Sequence, residues 1–345
     1  MAEKRPTMAD IARRAGVSKV AVSYALNDQP GVSEATRASI KSIAEELGWR
    51  PNSAARALTG GRAQAVGLVV RRPARTLGVE PFFMEFISGV ETVLAERSYA
   101  LMLQMAGDQE QEVEVCRRWW GERRVDGVFL MDLQTEDARV DAVRDIGLPA
   151  VAIGPPEVAG GLPAIWSDDG ESVHEIVRYL AALGHRRIAR VAGPAAFAHT
   201  AVRDAALAVA CREAGIPEAT VVHTDYTGDA GARAARALLI APERPTALVF
   251  DNDIMAVAAL SVAQELGLSI PADVSVVAWD ESPLTQVVRP MLSAVTRDIP
   301  GYGATAATAL LALIGGDDVG DVREGYAHFV PRGSTAPPPP DPAAR

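Results

Sequence analysis

A chain of 345 residues exceeds one ordinary hydrophobic core, so two or three domains are expected. Hydrophobic residues at 48% and charged ones at 23% are ordinary globular usage and exclude wholesale disorder. The net charge of −10 divides unevenly: residues 1–62 carry ten Lys or Arg against six Asp or Glu (+4), and the rest carries 24 against 38 (−14), a basic head on an acidic body. Such a head suits nucleic-acid phosphates, and such a body avoids them.

The head opens with TMADIARRAGVSKVAVSYALN, Thr7 to Asn27, which has the form of a helix-turn-helix. Thr7 and Asp10 make a capping-box-like start, so a helix opens near Met8. Ile11, Ala12 and Ala15 keep an apolar stripe until Gly16, which permits the left-handed turn. Ser18 caps a second helix to about Leu26, on which Lys19, Val20, Ser23, Tyr24 and Asn27 share one face and Val22 and Ala25 the other. In a major groove, Lys19, Val20 and Tyr24 are suited to base edges, and Thr7, Ser18, Ser23 and Asn27 to phosphate oxygens. The same spacing also fits a small three-helix bundle that binds protein.

A third helix starts at Ser33, turns Ile40, Ile43, Ala44 and Leu47 inward and stops at Gly48. Pro51 breaks it, Asn52 can cap a further short helix to Thr59, and Gly60-Gly61 ends that. Two turns of helix are marginal in water, so this segment is expected to fold only when held. With VSEATRASIKSIAEELGWRPN and AARAL following the first stretch, the module resembles the lactose-repressor (LacI/GalR) family. The resemblance implies a hinge helix that folds on the operator in the minor groove, with Leu58 as the wedge and Asn52, Ala55 and Arg56 along the groove. A plain flexible linker is the competing reading.

From Ala65 the rhythm becomes strand, helix, strand, with apolar runs at Val66–Val70, Ala100–Leu103, Gly127–Met131, Ala150–Ile153, Ile188–Ala192, Ala247–Phe250 and Val274–Ala278. Such runs are what parallel sheets buried on both faces require, so the body reads as doubly wound α/β. The chain is expected to cross between two subdomains at IWSDDG (165–170), near Arg297, and a third time around Thr335 or earlier. The domain expectation is a helix-turn-helix at 1–50, a hinge helix and linker at 51–62, and an effector-binding and dimerisation domain at 63–332. Within that domain the N-subdomain spans about 63–167 and 297–332 and the C-subdomain about 168–296, with a disordered Pro-rich tail at 333–345.

EPFFMEFISGVE, RVDGVFLM, LAALGHRRIARVAGP, AVRDAALAVACREAGIP, ALVFDNDIMAVAALSVAQELGLSIPADVSVVAWDE and RPMLSAVTRDIPGYGATAATALL, in that order, extend the resemblance over the body. It implies a two-lobe fold like the periplasmic binding proteins, closing on a small molecule. Asn252 and Asp280 follow apolar strands, where ligands of α/β sheets sit, and Arg203 offers a planar fork of donors. By resemblance to the family's sugar binders, Arg203, Asn252 and Asp280 form the effector site, with Phe82 and Phe83 stacking on the ligand or packing. Against this, Asp280 and Asp253 can instead cap helices and Asn252 hold a loop. Gly154-Pro155-Pro156 and Ile299 depart from the sugar-binding pattern; Asn252 tilts the effector toward a sugar-like molecule over a nucleoside or purine.

Adjacent Asp168 and Asp169 cannot flank one bond and are expected to cap a helix near Glu171. His185 reads as structural, and Cys116 and Cys211, far apart without ligand-spaced partners, as buried thiols. No nucleophile elbow, P-loop or metal cluster is seen, so neither an enzyme nor a cofactor or metal is expected. No apolar run of 18 residues and no apolar stretch behind MAEKRPTMAD is present; the expectation is no membrane association and a cytoplasmic, nucleoid-associated protein. The whole reads as a ligand-responsive repressor that binds a pseudopalindromic DNA operator as a homodimer, with a transport-type binding protein as the competing class.

Overall fold

The computed structural model describes residues 6–49, 61–72, 80–217 and 219–340. The chain divides into a headpiece within 1–63 and a body within 64–345. The headpiece holds α1 (Met8–Ala15), α2 (Lys19–Leu26) and α3 (Glu34–Glu46). Their ends are set by the expected side chains. Asp10 accepts from both the backbone N–H (3.0 Å) and the hydroxyl (2.7 Å) of Thr7, and Gly16 at φ 66° turns the chain. Ser18 and Ser33 accept from the N–H groups of Ala21 and Thr36. Ile11, Val22, Ala25 and Ile40 are fully buried together. Arg37 pins the loop before α3, donating to the carbonyls of Tyr24, Ala25 and Gln29. The expected hinge helix, with Asn52, Ala55, Arg56 and Leu58, lies outside the described residues.

The body is two α/β lobes. In the first, β1 (Ala65–Val70), β2 (Ala100–Met105), β3 (Gly127–Leu130), β4 (Ala150–Ile153), β5 (Ala164–Trp166) and β11 (Val322–Arg323) make a parallel sheet ordered β11-β5-β4-β3-β1-β2. Helices α4 (Pro81–Glu96) and α12 (Ile299–Gly315) cover one face, and α5 (Gln109–Gly121) and α6 (Ala138–Asp145) the other. Helices α4 and α12 meet backbone to backbone: a Cβ on Gly303 would sit 2.2 Å from the Phe86 carbonyl oxygen.

The second lobe has the strand order β12-β10-β9-β8-β6-β7, from β6 (Ile188–Ala192), β7 (Thr220–His223), β8 (Ala247–Phe250), β9 (Ser275–Ala278), β10 (Ser293–Thr296) and β12 (His328–Val330). β12 runs antiparallel to β10, so this sheet is not wholly parallel. Helices α7 (Asp169–Leu183) and α8 (Ala198–Glu213) pack on one face, α9 (Gly228–Leu239) and α10 (Asp253–Glu265) on the other, and the short α11 (Pro283–Val287) follows β9. Inner strands β1, β3, β4, β6, β8 and β9 are buried along their whole length, as their apolar runs require, whereas edge strands β2 and β7 are not.

Three connections join the lobes, between β5 and α7, between β10 and α12, and between β11 and β12. The first two fall where expected. The third falls at 324–327, so the chain from β12 onward belongs to the second lobe and the expected boundary at 332 is corrected. Nor is the chain disordered from 333. Ser334 is fully buried, its hydroxyl donating to the Val276 carbonyl and accepting from the Ser293 N–H, and Ala336 accepts from His185. Small polar groups bond β9 and β10 here without contributing an apolar pattern. His185, buried between Thr246 and Ala336, therefore anchors this terminal segment as well as the start of β8, and burial lowers its pKa.

Candidate DNA-reading face and effector cleft

On α2 the two faces separate as the spacing dictates. Val22 and Ala25 are fully buried, while Val20 is 59% and Tyr24 39% exposed, with Lys19 beside them in solvent. Val20 and Tyr24 thus stand in solvent on a helix whose other side is packed, the Tyr24 ring resting beside Gly31. Thr7 and Ser18 are exposed next to it; Ser23 is half-buried. Asn27 ends the helix, its amide donating back to the Ser23 carbonyl at 3.0 Å.

A cavity of about 130 Å³ lies between the lobes. A single buried water needs only on the order of 10–15 Å³, so the space is that of a small-molecule cavity rather than of one trapped water. Arg203, Asn252, Asp280, Phe82 and Phe83 all line it. The structure brings these five together, but ties several to protein partners. Arg203 on α8 lies flat on Trp279, 3.8 Å from the ring centroid, and reaches Asp169 at 2.7 Å and Asp251 at 3.6 Å. Burial opposes its charge, yet Asp169 and Asp251 outweigh that and push its pKa up.

Asn252 is the cap of α10. Its Oδ1 accepts from the Met255 N–H at 2.9 Å and its Nδ2 donates to the Tyr226 carbonyl at 2.9 Å, so the loop-holding reading describes what the amide does here. Asp280, with φ 60°, pairs with Arg297 at 2.9 Å; burial, working against Arg297, leaves its pKa raised. Phe83 is 2% exposed and belongs to the first lobe's core, whereas Phe82 is half-buried with the Arg297 guanidinium 5.0 Å from its ring.

Several cleft residues are absent from the sequence reading. Arg72, at the end of β1, reaches Asp132 at 2.9 Å and Glu80 at 3.3 Å. It also stands 5.1 and 5.2 Å from the rings of Phe197 and Tyr226 in the other lobe. Together with the Ala198 N–H bond to the Leu133 carbonyl, it ties the lobes at one end of the cleft. The Tyr226 hydroxyl and His199 Nε2 share a hydrogen bond of 2.7 Å, and the tyrosine ring lies against Gly193, where a Cβ would stand 2.0 Å from the ring carbon Cζ. Asp169 does not serve as a second cap beside Asp168. Asp168 alone accepts from the Glu171 N–H, and Asp169 turns inward to Arg203. The strand-end rule that found Asn252 and Asp280 applies equally to Arg72 after β1 and Asp132 after β3.

Charge is unevenly settled here. Burial pushes Glu80 up to about 7 against the pull of Arg72, and pushes Asp253 up to about 6, helped by the charge of Asp280. Burial and the nearby Arg203 lower His199 to about 4, so the ring is neutral at pH 7. Asp251 is kept low despite burial by Arg190, whose fork bonds both carboxylate oxygens at 2.7 and 2.6 Å, and by Arg203.

Residues 7–52 match the family described as bacterial regulatory proteins, lacI family, and residues 177–335 the periplasmic binding protein-like domain. The HTH-type transcriptional regulator CelR of Thermobifida fusca is 32% identical over 326 residues, 93% of this chain and 95% of its own. This chain belongs to the LacI family. As a LacI-family regulator it superposes on the lac repressor dimer bound to operator and anti-inducer with a TM-score of 0.83 at 26% identity, over 96% of this chain and 100% of that one. The CelR–cellobiose complex gives 0.71 at 31% identity, with the same coverage of 96% and 100%. The regulator thus joins a DNA-binding helix-turn-helix to a two-lobe periplasmic-binding-protein-like body. Among its described residues no helix is long and apolar enough to cross a membrane, and no group of three or more His, Cys, Asp or Glu is placed to hold a metal ion.

Proposed function

We propose that this LacI-family regulator represses by binding a pseudopalindromic operator as a homodimer in the cytoplasm, with a small sugar-like effector in the interlobe cavity. The observation that carries the DNA half is the outward face of α2, where Val20 and Tyr24 stand exposed beside Lys19 over a fully packed opposite side. A major groove accepts such a helix; Lys19 and the Tyr24 hydroxyl suit base edges, Val20 a thymine methyl, and Thr7, Ser18, Ser23 and Asn27 the phosphates. The lac repressor's crystallised state, a dimer on its operator, supports the same assembly here, because two reading helices need two half-sites. In this reading Asn52 to Thr59 fold as a hinge on the DNA and Leu58 wedges the central step.

The cavity's size and its polar lining support the effector half, as does the cellobiose held by CelR. Arg203 and Asp280 are the assigned polar contacts and Phe82 the stacking ring. A nucleoside is the second reading, favoured by the Phe82 and Tyr226 rings lining the cavity and by the engagement of the Asn252 amide elsewhere. Occupancy of the cleft biases the lobes, and by linkage DNA and effector change each other's affinity by one factor, about 5–150-fold for a coupling of roughly 1–3 kcal/mol.

Operator sites selected from random duplex pools provide the test. Lys19→Ala and Tyr24→Ala are each expected to weaken the selected site by about 1–3 kcal/mol while changing random-sequence binding far less. Equal losses on both DNAs would remove α2 as the reader. Cellobiose and adenosine, titrated against the operator complex, should reveal a shift in DNA affinity that Asp280→Ala abolishes.

A further inference from the structure

We infer that the interlobe cavity takes an uncharged or positively charged hydroxylated molecule and rejects phosphorylated and carboxylated ones. The inference rests on the cleft being the effector site, as proposed above.

The three arginines that line the cavity are already committed. Arg203 is held by Asp169 and Asp251, Arg72 by Asp132 and Glu80, and Arg297 by Asp280. Seven carboxylates share that lining, and two arginines outside it, Arg190 and Arg332, neutralise Asp251 and Glu281. Among the described residues, seven acids against five arginines, one of which (Arg190) also pairs with Asp204, leave a surplus of at least two carboxylates. One lies in the Arg72 group, where a single guanidinium serves two acids. The other is Asp253, 3% exposed, whose partners are the neutral Ser282 hydroxyl and the N–H of Ile254. Burial is the main cause of the upward pKa shifts of Glu80 and Asp253, and the neighbouring carboxylates Asp132 and Asp280 add to them.

Among the described residues, an incoming phosphate would meet this surplus with no lining guanidinium free of a carboxylate, and a buried charge without a partner is heavily penalised. A hydroxyl meets the opposite situation. Asp280 and Arg297 meet through two contacts, Nη2 to Oδ2 at 3.2 Å and Nε to Oδ1 at 2.9 Å, and the buried Ser167 Oγ has no hydrogen-bond partner among the described residues. A hydroxyl, which both donates and accepts, can bond the polar groups of this lining without adding charge to it. An ammonium group would in addition offset the surplus at Asp253.

The full-length protein should be titrated, by calorimetry and thermal shift, with probes matched except in charge: D-glucose, D-glucosamine, D-glucose 6-phosphate and D-glucuronate, then cellobiose, and adenosine against its 5′-monophosphate. The expected result is that whichever neutral probe binds loses at least tenfold in affinity on gaining a phosphate or carboxylate and loses nothing on gaining an amine. Asp253→Asn, and separately Glu80→Gln, should narrow the neutral-to-phosphate gap, so failure of one variant to fold leaves the other to report. A phosphorylated or carboxylated probe binding as tightly as its neutral counterpart overturns the charge rule while leaving the cleft as the effector site. Silence from every probe overturns the cleft reading and this inference with it.

Discussion

His199 shows how one side chain's surroundings become a measurable property. Its unfolded value is about 6.5, and burial with Arg203 nearby brings the folded value to about 4. Between these values the unfolded chain binds the extra proton. The contribution is therefore fully present above pH 6.5 and is lost as pH falls toward 4. His199→Gln is expected to flatten that part of the stability profile, measured as the urea midpoint across pH 4 to 7; an unchanged slope would place the titration elsewhere. The ring also fixes the Tyr226 hydroxyl, and none of this was readable from the letters HT at 199–200. Charge partners chosen across more than fifty positions, such as Arg72 with Asp132, leave no local spacing to detect.

At the scale of elements, most of the organisation was legible. Caps at Ser18 and Ser33, the turn at Gly16 and the buried inner strands follow from side-chain chemistry acting within a few residues. Elements without such signals were missed: β7, β11 and β12 are short edge strands with partly exposed residues, and β5 and β10, though inner, are only three and four residues long, so no extended apolar run marks them. Helix α10 offers a direct test of the Asn252 assignment. Asn252→Ala should cost about 1 kcal/mol through loss of the cap, and Asn252→Ser, keeping a capping oxygen, should recover most of it. Measured by urea unfolding beside ligand titration, a serine variant that is stable yet loses tenfold in affinity would make the amide a ligand contact after all.

In the whole molecule, the last described stretch matters more than its composition suggests. Ser334, Thr335 and Ala336 join β9, β10, α7 and His185 through side-chain and backbone bonds, including the Val276 N–H to the Ser334 carbonyl at 2.9 Å. Ending the chain after Arg332 should destabilise the second lobe by several times the roughly 1 kcal/mol of a single hydrogen bond, seen as a lowered urea midpoint. A truncated protein as stable as the intact one would show these bonds to be dispensable.

Caps, helical stripes and buried strands are written in neighbouring residues, so the headpiece and the α/β body were legible in the letters, and the family resemblance added the two-lobe fold. The family resemblance also assigns Arg203, Asn252 and Asp280 to an effector site, with Phe82 and Phe83 beside it, and all five line the interlobe cavity. Only the tertiary structure decided what those groups are bonded to: Arg203 to Asp169, Asp280 to Arg297, Asn252 to its own helix and to Tyr226. Ion pairs and buried hydrogen bonds depend on which distant side chains the folded lobes bring within about 3 Å, and that proximity has no periodicity along the chain.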